Sequence, residues 1–517
     1  MNASVRIARA VFTGMVLSLV FSSVSPAASP VSNSSAESAK AQSSAATANP
    51  NAQSGPAVGP AKEPEVVVAK VGDYTVTKSE LTRRLMDEIR PRGEEYTGPK
   101  GPVTANTVLL QMVAEKAMMM EGRKLGYLDD EMIRSYVQRQ KQQKLSAMVV
   151  MDYIRQNLSI TDAEIDQIMK ANPKLTRDQA MQLARRNKGN AMLEQYYKGL
   201  LQKFHAKMAT ENYAKAAQIH DRLLLKPVKP RRESWILLSQ VKTELTPEEK
   251  AIPLATYDGG CFTLLDLFDT LHQMSPPSRP RDLGTPEGIG RFLDRAMRPP
   301  ILVAEAQSRG FDKDAQFLRE MRELEDRCLL DKVLTDKTLS LPEPTDEQIQ
   351  PYFEKNKERF GDNPMLKVDQ IWCKSLSAAR KAKEMLDGGA TFEATKNACS
   401  IQKDVQPYNT YPGGEGPFWA DLWKGEPNQV VGPVKGFYNE GLAWRLVKIL
   451  EKKPGQPKPY SDQVKSSVKY AMIEERRNAA LDSYRKELLE KYPHEVYADK
   501  IEGIDPLDIP EPNEVAK

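Results

Sequence analysis

Apolar residues recur along this chain at helical spacing, and one such pattern occurs twice. In "NAMLEQYYKGLLQKF", residues 190–204, Leu193, Tyr196 and Leu200 sit three and four apart. In "NAALDSYRKELLEKY", residues 478–492, Leu481, Tyr484 and Leu488 keep that spacing. Eight of the fifteen positions are identical, at an offset of 288. Further upstream Leu109, Met112, Val113, Ala117 and Met120 share another helical face. Each pattern predicts an amphipathic helix with one stripe turned to a core.

Three further landmarks recur, but at a shorter offset. "VAKVGDYTVTKSEL" from Val68 reads as strand, Gly-Asp turn, strand and capped helix, and "LATYDGGCFTLLDL" from Leu254 repeats it 186 residues later. "EGRKLGYLDD" from Glu121 returns as "EAQSRGFDKD" from Glu305, with Gly126 or Gly310 closing a helix and Tyr127 or Phe311 following. Thr161 with Glu164, and Thr345 with Gln348, both fit the capping box, and the two boxes are 184 residues apart. Four landmarks in one order predict a duplicated helical unit. The second copy has gained 288 − 184 = 104 residues between the last two landmarks. A helix over 461–491 would run about 46 Å at 1.5 Å per residue. That length suits a latch across a whole lobe, and it is expected to pack back onto residues 252–356.

The added stretch, near residues 357–460, changes period. It reads as a strand, a helix ("AARKAKEML"), a break at Gly388-Gly389 and a second short helix from Thr391. A glycine turn ("PGGEGPFW"), a Gly-Pro turn and a strongly apolar final strand follow. That order is a compact α+β module.

Composition then narrows the class. The chain has 517 residues, 40% hydrophobic and 28% charged, with a net charge of +4. Two of those charges, Arg6 and Arg9, lie in the first ten residues, so no nucleic-acid surface is implied. With the apolar run from Ala10 to Val24 and the small residues Ser25-Pro26-Ala27, residues 1–28 read as a secretory signal peptide. An uncleaved anchor near the membrane is the alternative. The absence of a Cys near the cleavage site argues against a lipoprotein. Residues 29–64 are a Ser/Ala/Pro-rich tether expected to be disordered, and 499–517 form an acidic, Pro-containing tail. No later segment reaches 18 apolar residues, which predicts a soluble mature protein.

Cys261, Cys328, Cys373 and Cys399 fit no metal spacing and read as buried thiols, with Cys373–Cys399 the one candidate pair. The four histidines are scattered. No metal and no cofactor are expected. Ten of the 20 methionines fall between Met112 and Met192. They fit core filling, or an adaptable surface for peptides that would include Met112, Met119 and Met120.

The motif order "FEATKNACS…GGEGPFW…GPVKGFYNEGLAWRLVKIL" resembles the parvulin-type (PpiC) peptidyl-prolyl isomerase domain. The flanking lobe, split by that module and closed by a long final helix, resembles the SurA/PrsA/PpiD class of extracytoplasmic foldases. "VAKVGDYTVTKSELTRRL" looks like the opening of its chaperone lobe, and "PTDEQIQPYFEKNKERF" looks like its usual lead-in to the isomerase. The resemblance covers residues 65 to about 492. It implies an α+β, mostly α fold with domains at 65–247, at 248–360 plus 461–498, and at 361–460 for the isomerase-like module.

Such a domain lowers the barrier to X-Pro rotation, about 20 kcal/mol, by holding the twisted amide in an apolar pocket. The resemblance implies a histidine on the first strand, a histidine on the last, an Asp or Cys between them, and a Met/Phe pocket. Here the first position falls on Gln370, the last on Arg445, and the middle near Gln402 or Asp404. The pocket stretch is shortened to "ADLWKGEPNQ", and residues 357–460 contain no His. Gln370 and Arg445 are expected close together on adjacent strands at the mouth of a groove. Trp372, Phe418, Trp419, Trp423, Phe437, Tyr438 and Trp444 are candidates for peptide contact or for core. The implied function is a periplasmic chaperone for unfolded or outer-membrane polypeptides, with a weak or inactive isomerase module. The alternatives are an active isomerase with an unusual site and an envelope scaffold with one fixed partner.

Overall fold

The structure, a computed structural model, describes residues 65–90, 103–439 and 441–509. The expected signal peptide, the whole tether and residues 510–517 of the tail lie outside them. In chain order the main elements begin with a hairpin, β1 (Val67–Val71) and β2 (Tyr74–Thr77). Helices α1 (Lys78–Ile89), α2 (Ala105–Lys124), α3 (Glu131–Asn157), α4 (Asp162–Ala171) and α5 (Arg177–Lys203) follow. Next come β3 (Lys207–Met208), α6 (Tyr213–Leu225), and a second hairpin of β4 (Pro253–Tyr257) and β5 (Gly260–Thr263). Then run α7 (Leu264–Gln273), α8 (Pro286–Ala296), α9 (Arg298–Ser308), α10 (Ala315–Leu339) and α11 (Asp346–Lys355). The inserted module holds β6 (Met365–Cys373), α12 (Leu376–Asp387), α13 (Phe392–Cys399), β7 (Tyr408–Thr410), β8 (Val430–Tyr438) and β9 (Gly441–Lys453). Helix α14 (Asp462–Lys491) and β10 (His494–Val496) close the order. The fold is α+β and mostly helical.

Local chemistry sets these boundaries. Thr77 with Glu80, Thr161 with Glu164, and Thr345 with Gln348 form the caps of α1, α4 and α11. Gly126 and Gly310 take φ of 72° and 75° just past their helices, a conformation in which a Cβ is disfavoured.

Two compact units form, one from Asp129–Glu325 and one from 65–128 with 326–509. They do not coincide with the two sequence copies, whose expected boundary at 247/248 falls inside the first unit. In that unit the sheet order is β3-β4-β5, so the strand after α5, from copy one, pairs with the hairpin of copy two. In the other unit the order is β10-β1-β2, so the strand after α14, from copy two, pairs with the hairpin of copy one. The registers agree as well. Lys207 faces Thr256 and Met208 faces Ala255; Glu495 faces Lys70 and Val496 faces Ala69. Each unit is therefore built from the front of one copy and the back of the other.

The latch helix α14 follows that exchange. Its first half packs Val464, Val468 and Met472 against Ile349 and Phe353 of α11, inside the expected range 252–356. Its second half places Tyr484 and Leu488 in a core with Val68, Leu109, Val113 and Met118, which belong to copy one and lie outside that range. Met119 is buried in this core, and Met112 and Met120 pack against it. Met120 closes on the β1–β2 turn, where a Cβ on Gly72 would come within 2.7 Å of its Cε. Met119 thus belongs to a core, and Met112 and Met120 are half-buried at its edge.

The module leaves and re-enters the helical framework at one point. The Asp362 amide donates to the Gln456 carbonyl at 2.7 Å, and Gly361 and Gly455 allow the two segments to lie that close. Its sheet is antiparallel, in the order β7-β6-β9-β8. Two expected turns differ. The Gly432-Pro433 pair lies within β8, at an irregularity in its pairing with β9. "PGGEGPFW" folds into a one-turn helix, Pro412–Glu415, and a 3-10 turn, Gly416–Phe418. Cys373 and Cys399 are free thiols, not a pair, and burial pushes the Cys373 thiol up to about 11.

Candidate functional site

The two central strands of the module set the site. On β6 the residues Leu366, Val368, Gln370 and Trp372 alternate onto one face, while Ile371 and Cys373 turn to the other. Gln370 stands opposite Val447 on β9, and Trp372 stands opposite Arg445. Opposed residues share a face, so Gln370 and Arg445 are diagonal neighbours. Below them on that face lies an apolar layer of Leu366, Val368, Leu422, Val447 and Ile449, with Trp419 and Trp423 against it.

The expected proximity is present, and it is a hydrogen bond. Arg445 donates from one terminal nitrogen to Gln370 Oε1 at 2.7 Å, and from the other to Glu415 Oε2 at 2.5 Å. Gln370 in turn donates through Nε2 to the Tyr408 hydroxyl at 2.5 Å. Thr410 donates to the second oxygen of Glu415 at 2.7 Å. The Arg445 guanidinium also lies 5.0 Å from the centre of the Trp372 ring, a cation–π distance. Gly436 makes room for it, because a Cβ there would come within 2.4 Å of Arg445 Nε. Gln370 and Arg445 are each 2% exposed, so they lie beneath the surface and not at the mouth of a groove.

Burial of this kind needs compensation. A guanidinium taken out of water is tolerated when it is paired and its donors are met. Glu415 supplies the charge and Gln370 accepts from the other terminal nitrogen, while the buried Arg445 Nε has no hydrogen-bond partner. Tyr408 is the member that meets solvent, at 39% exposed, while its hydroxyl reaches in to Gln370. Burial first, and then the nearby Glu415 charge, push that hydroxyl up to about 12, so it stays a neutral phenol.

The other expected site residues divide. Gln402 and Asp404 are exposed and do not take the middle polar position; the acid that meets Arg445 is Glu415. The Gln402 carbonyl instead accepts from Ser400 Oγ, which itself accepts from the Trp372 amide. Phe418 packs on Phe437 at 5.3 Å, and Trp372 on Tyr438 at 5.1 Å. Trp419 and Trp423 stack on each other at 5.2 Å. Trp444 packs on the opposite face of the sheet, against the layer under α12 and α13. The Phe437 ring is covered by the guanidinium of Arg90, which also donates to the Asn439 carbonyl at 2.8 Å.

Three participants were missed in the sequence. Glu415 and Tyr408 carried no signal beyond an acid in a glycine-rich turn and a lone tyrosine. Lys396, deep in α13, makes a buried ion pair with Asp369 at 2.6 Å and fixes that helix to β6.

What this arrangement can do is limited by its closure. Both ends of the Gln370 amide are used, and both terminal nitrogens of Arg445 are used.

Residues 344–466 match the family of PPIC-type PPIase domains. No curated protein sequence matches the chain. Among solved structures, the foldase protein PrsA from Streptococcus pneumoniae is similar at 16% identity, over 46% of this chain and 93% of that one, with a TM-score of 0.23. A SurA-like chaperone of Campylobacter jejuni, one of the pair PEB4 and Cj1289, aligns at 11% identity over 44% and 90%, with a TM-score of 0.21. A second chain under that description aligns at 13% over 65% and 94%, with a TM-score of 0.17.

Proposed function

We propose that this chain is an extracytoplasmic chaperone of the foldase type, in which the PPIC-type module at 344–466 has kept its fold and lost its isomerisation chemistry. The observation that carries this reading is the closed network of Gln370, Arg445 and Glu415. Catalysis requires groups that interact more strongly with the twisted amide than with the planar one. Gln370 and the terminal nitrogens of Arg445 are buried and bonded to each other, to Tyr408 and to Glu415, which keeps them from a peptide at the surface. A signal-like segment at 1–28 supports export across the inner membrane, and unfolded or outer-membrane polypeptides are the expected clients. The duplicated helical units would supply the binding surface.

The test is to add the mature chain to a urea-denatured outer-membrane β-barrel protein on dilution and follow light scattering. In parallel, a proline-limited refolding reaction is timed. Delayed aggregation with an unchanged refolding rate supports the reading. A faster refolding rate would favour a working isomerase, and no effect on either would favour a scaffold.

A further inference from the structure

In the unit formed by Asp129–Glu325, the loop between α6 and the short helix Leu238–Glu244 puts apolar side chains into water. Leu225 is 70% exposed, Val228 78%, Leu238 45% and Trp235 37%. Single exposed apolar residues are common, but four on one short loop form a patch of the kind that marks an interaction surface. They are held together because the loop closes on itself. Leu223 and Ile236 anchor its base in the core of this unit. Arg231 bridges its two sides, donating to the Leu224 carbonyl at 3.1 Å and also to the Trp235 carbonyl. Gln240 of the short helix donates to the Leu223 carbonyl at 2.9 Å, which brings that helix alongside.

The same loop is basic. Residues 224–238 hold Lys226, Lys229, Arg231 and Arg232 against Glu233, a balance of 4 − 1 = +3, where the whole chain carries +4. Lys226, Lys229 and Arg232 are exposed, and among the described residues no carboxylate pairs with them.

The backbone separates two kinds of partner. A polypeptide that adds to a loop as a strand needs free N–H and C=O groups there. Pro227 and Pro230 have no N–H. The Val228 amide is taken by Glu244 Oε2 at 3.0 Å, and the Leu224, Glu233 and Trp235 carbonyls are taken by Arg231. A backbone whose polar groups are met internally, or missing, is poor at pairing with a peptide but costs less to move out of water. Protruding apolar side chains among unpaired cations then match the two layers of an anionic membrane surface. The cations stay at the phosphates on their long stems while the apolar groups go deeper, and tryptophan favours the level of the headgroups.

We propose that this loop seats the chain on an anionic phospholipid bilayer. Leu225 and Val228 enter the boundary of the acyl chains, Trp235 lies at the headgroups, and Lys226, Lys229 and Arg232 meet lipid phosphates. This membrane contact needs no uncleaved anchor, and it goes beyond the chaperone reading.

The test is flotation of the full mature chain with vesicles of equal parts phosphatidylglycerol and phosphatidylcholine, and with phosphatidylcholine alone. Binding is expected only to the anionic vesicles and should fall with added salt. Lys226→Glu with Lys229→Glu should weaken it about tenfold or more, whereas the same change of charge at the exposed Lys170 and Lys174 of α4 should alter it by less than about twofold. Val228→Asp should also weaken it. Lipids brominated on the acyl chains should quench the fluorescence of Trp235, the one tryptophan outside the isomerase-like module. That quenching should vanish in Trp235→Phe, a readout that needs no charge change. No vesicle binding, equal binding to both compositions, equal loss for the two lysine pairs, or quenching that survives Trp235→Phe would each overturn the proposal. So would a loss of aggregation suppression, measured without lipid, in Lys226→Glu with Lys229→Glu, because the patch would then hold polypeptide clients. A dimeric parent that this variant makes monomeric would overturn it as well, in favour of a contact between copies.

Discussion

Lys203 Nζ lies 2.5 Å from Glu305 Oε2, and the same pair recurs as Lys491 and Glu121 at 2.8 Å. The lysines are 288 residues apart and the glutamates 184, the two offsets that mark the duplication. In each pair the lysine comes from the latch helix of one copy and the glutamate from the other copy. Both glutamates are buried. Together with the matching strand registers, this makes the exchange of halves a property of the packed interior.

The Glu121 carboxyl is held below its usual 4.5, first by the hydrogen bond from Lys491 and then by that from the Tyr492 hydroxyl. A depressed carboxylate contributes stability that is complete above its ordinary value and is lost as pH falls through the lowered one. Lys491→Met should destabilise the chain by about 1 kcal/mol at pH 7, since the lysine end is partly exposed. The difference from the parent should shrink below pH 4.5. Urea unfolding followed by far-UV circular dichroism at pH 7 and pH 3.5 checks both the size and the sign.

Arg445 and Glu415 form an ion pair with both side chains nearly fully buried. Glu415→Ala leaves a guanidinium without its counter-charge and should cost about 3–5 kcal/mol. Replacing both, with Arg445→Met and Glu415→Leu, should recover most of that loss. Tryptophan fluorescence of the module, where Trp372, Trp419, Trp423 and Trp444 all lie, reports its unfolding. A double variant as unstable as the single one would contradict the ion-pair account.

Putting the family's histidines back should fail. Gln370→His with Arg445→His removes the group that neutralises Glu415 and leaves Tyr408 without its donor. The double variant should show no isomerisation of an X-Pro peptide and lower stability than the parent. A gain to ordinary isomerase rates would mean that the closure is incidental.

Residues 363–455 should be dispensable for the helical framework. Their two ends meet at Asp362 and Gln456, and α11 packs on α14 without them. Replacing them with a short Gly/Ser linker should preserve cooperative thermal unfolding of the helices. Loss of cooperative unfolding would show that the module is part of their core.

Periodicity and caps made much of this legible. The helix starts at Thr77, Thr161 and Thr345, the glycine stops at Gly126 and Gly310, and the latch up to Lys491 follow from local chemistry. The exchange did not, because an offset shows that two segments are related and not which hairpin each one meets. Met112, Met119 and Met120 were ambiguous for a similar reason, since a methionine stripe suits a core and a surface alike. At the site, strand positions placed Gln370 and Arg445 together. Their burial depended on Glu415 and Tyr408, which are distant in sequence and set by tertiary packing alone.

The central claim is that a buried Gln370–Arg445–Glu415 network has replaced the isomerase chemistry. Exchange-spectroscopy NMR of an Ala-Pro peptide, with and without the mature chain, measures cis–trans interconversion with no coupled protease. The account predicts an exchange rate equal to that of the free peptide at up to equimolar protein. Acceleration comparable to that of ordinary parvulins, lost on Gln370→Ala, would contradict it.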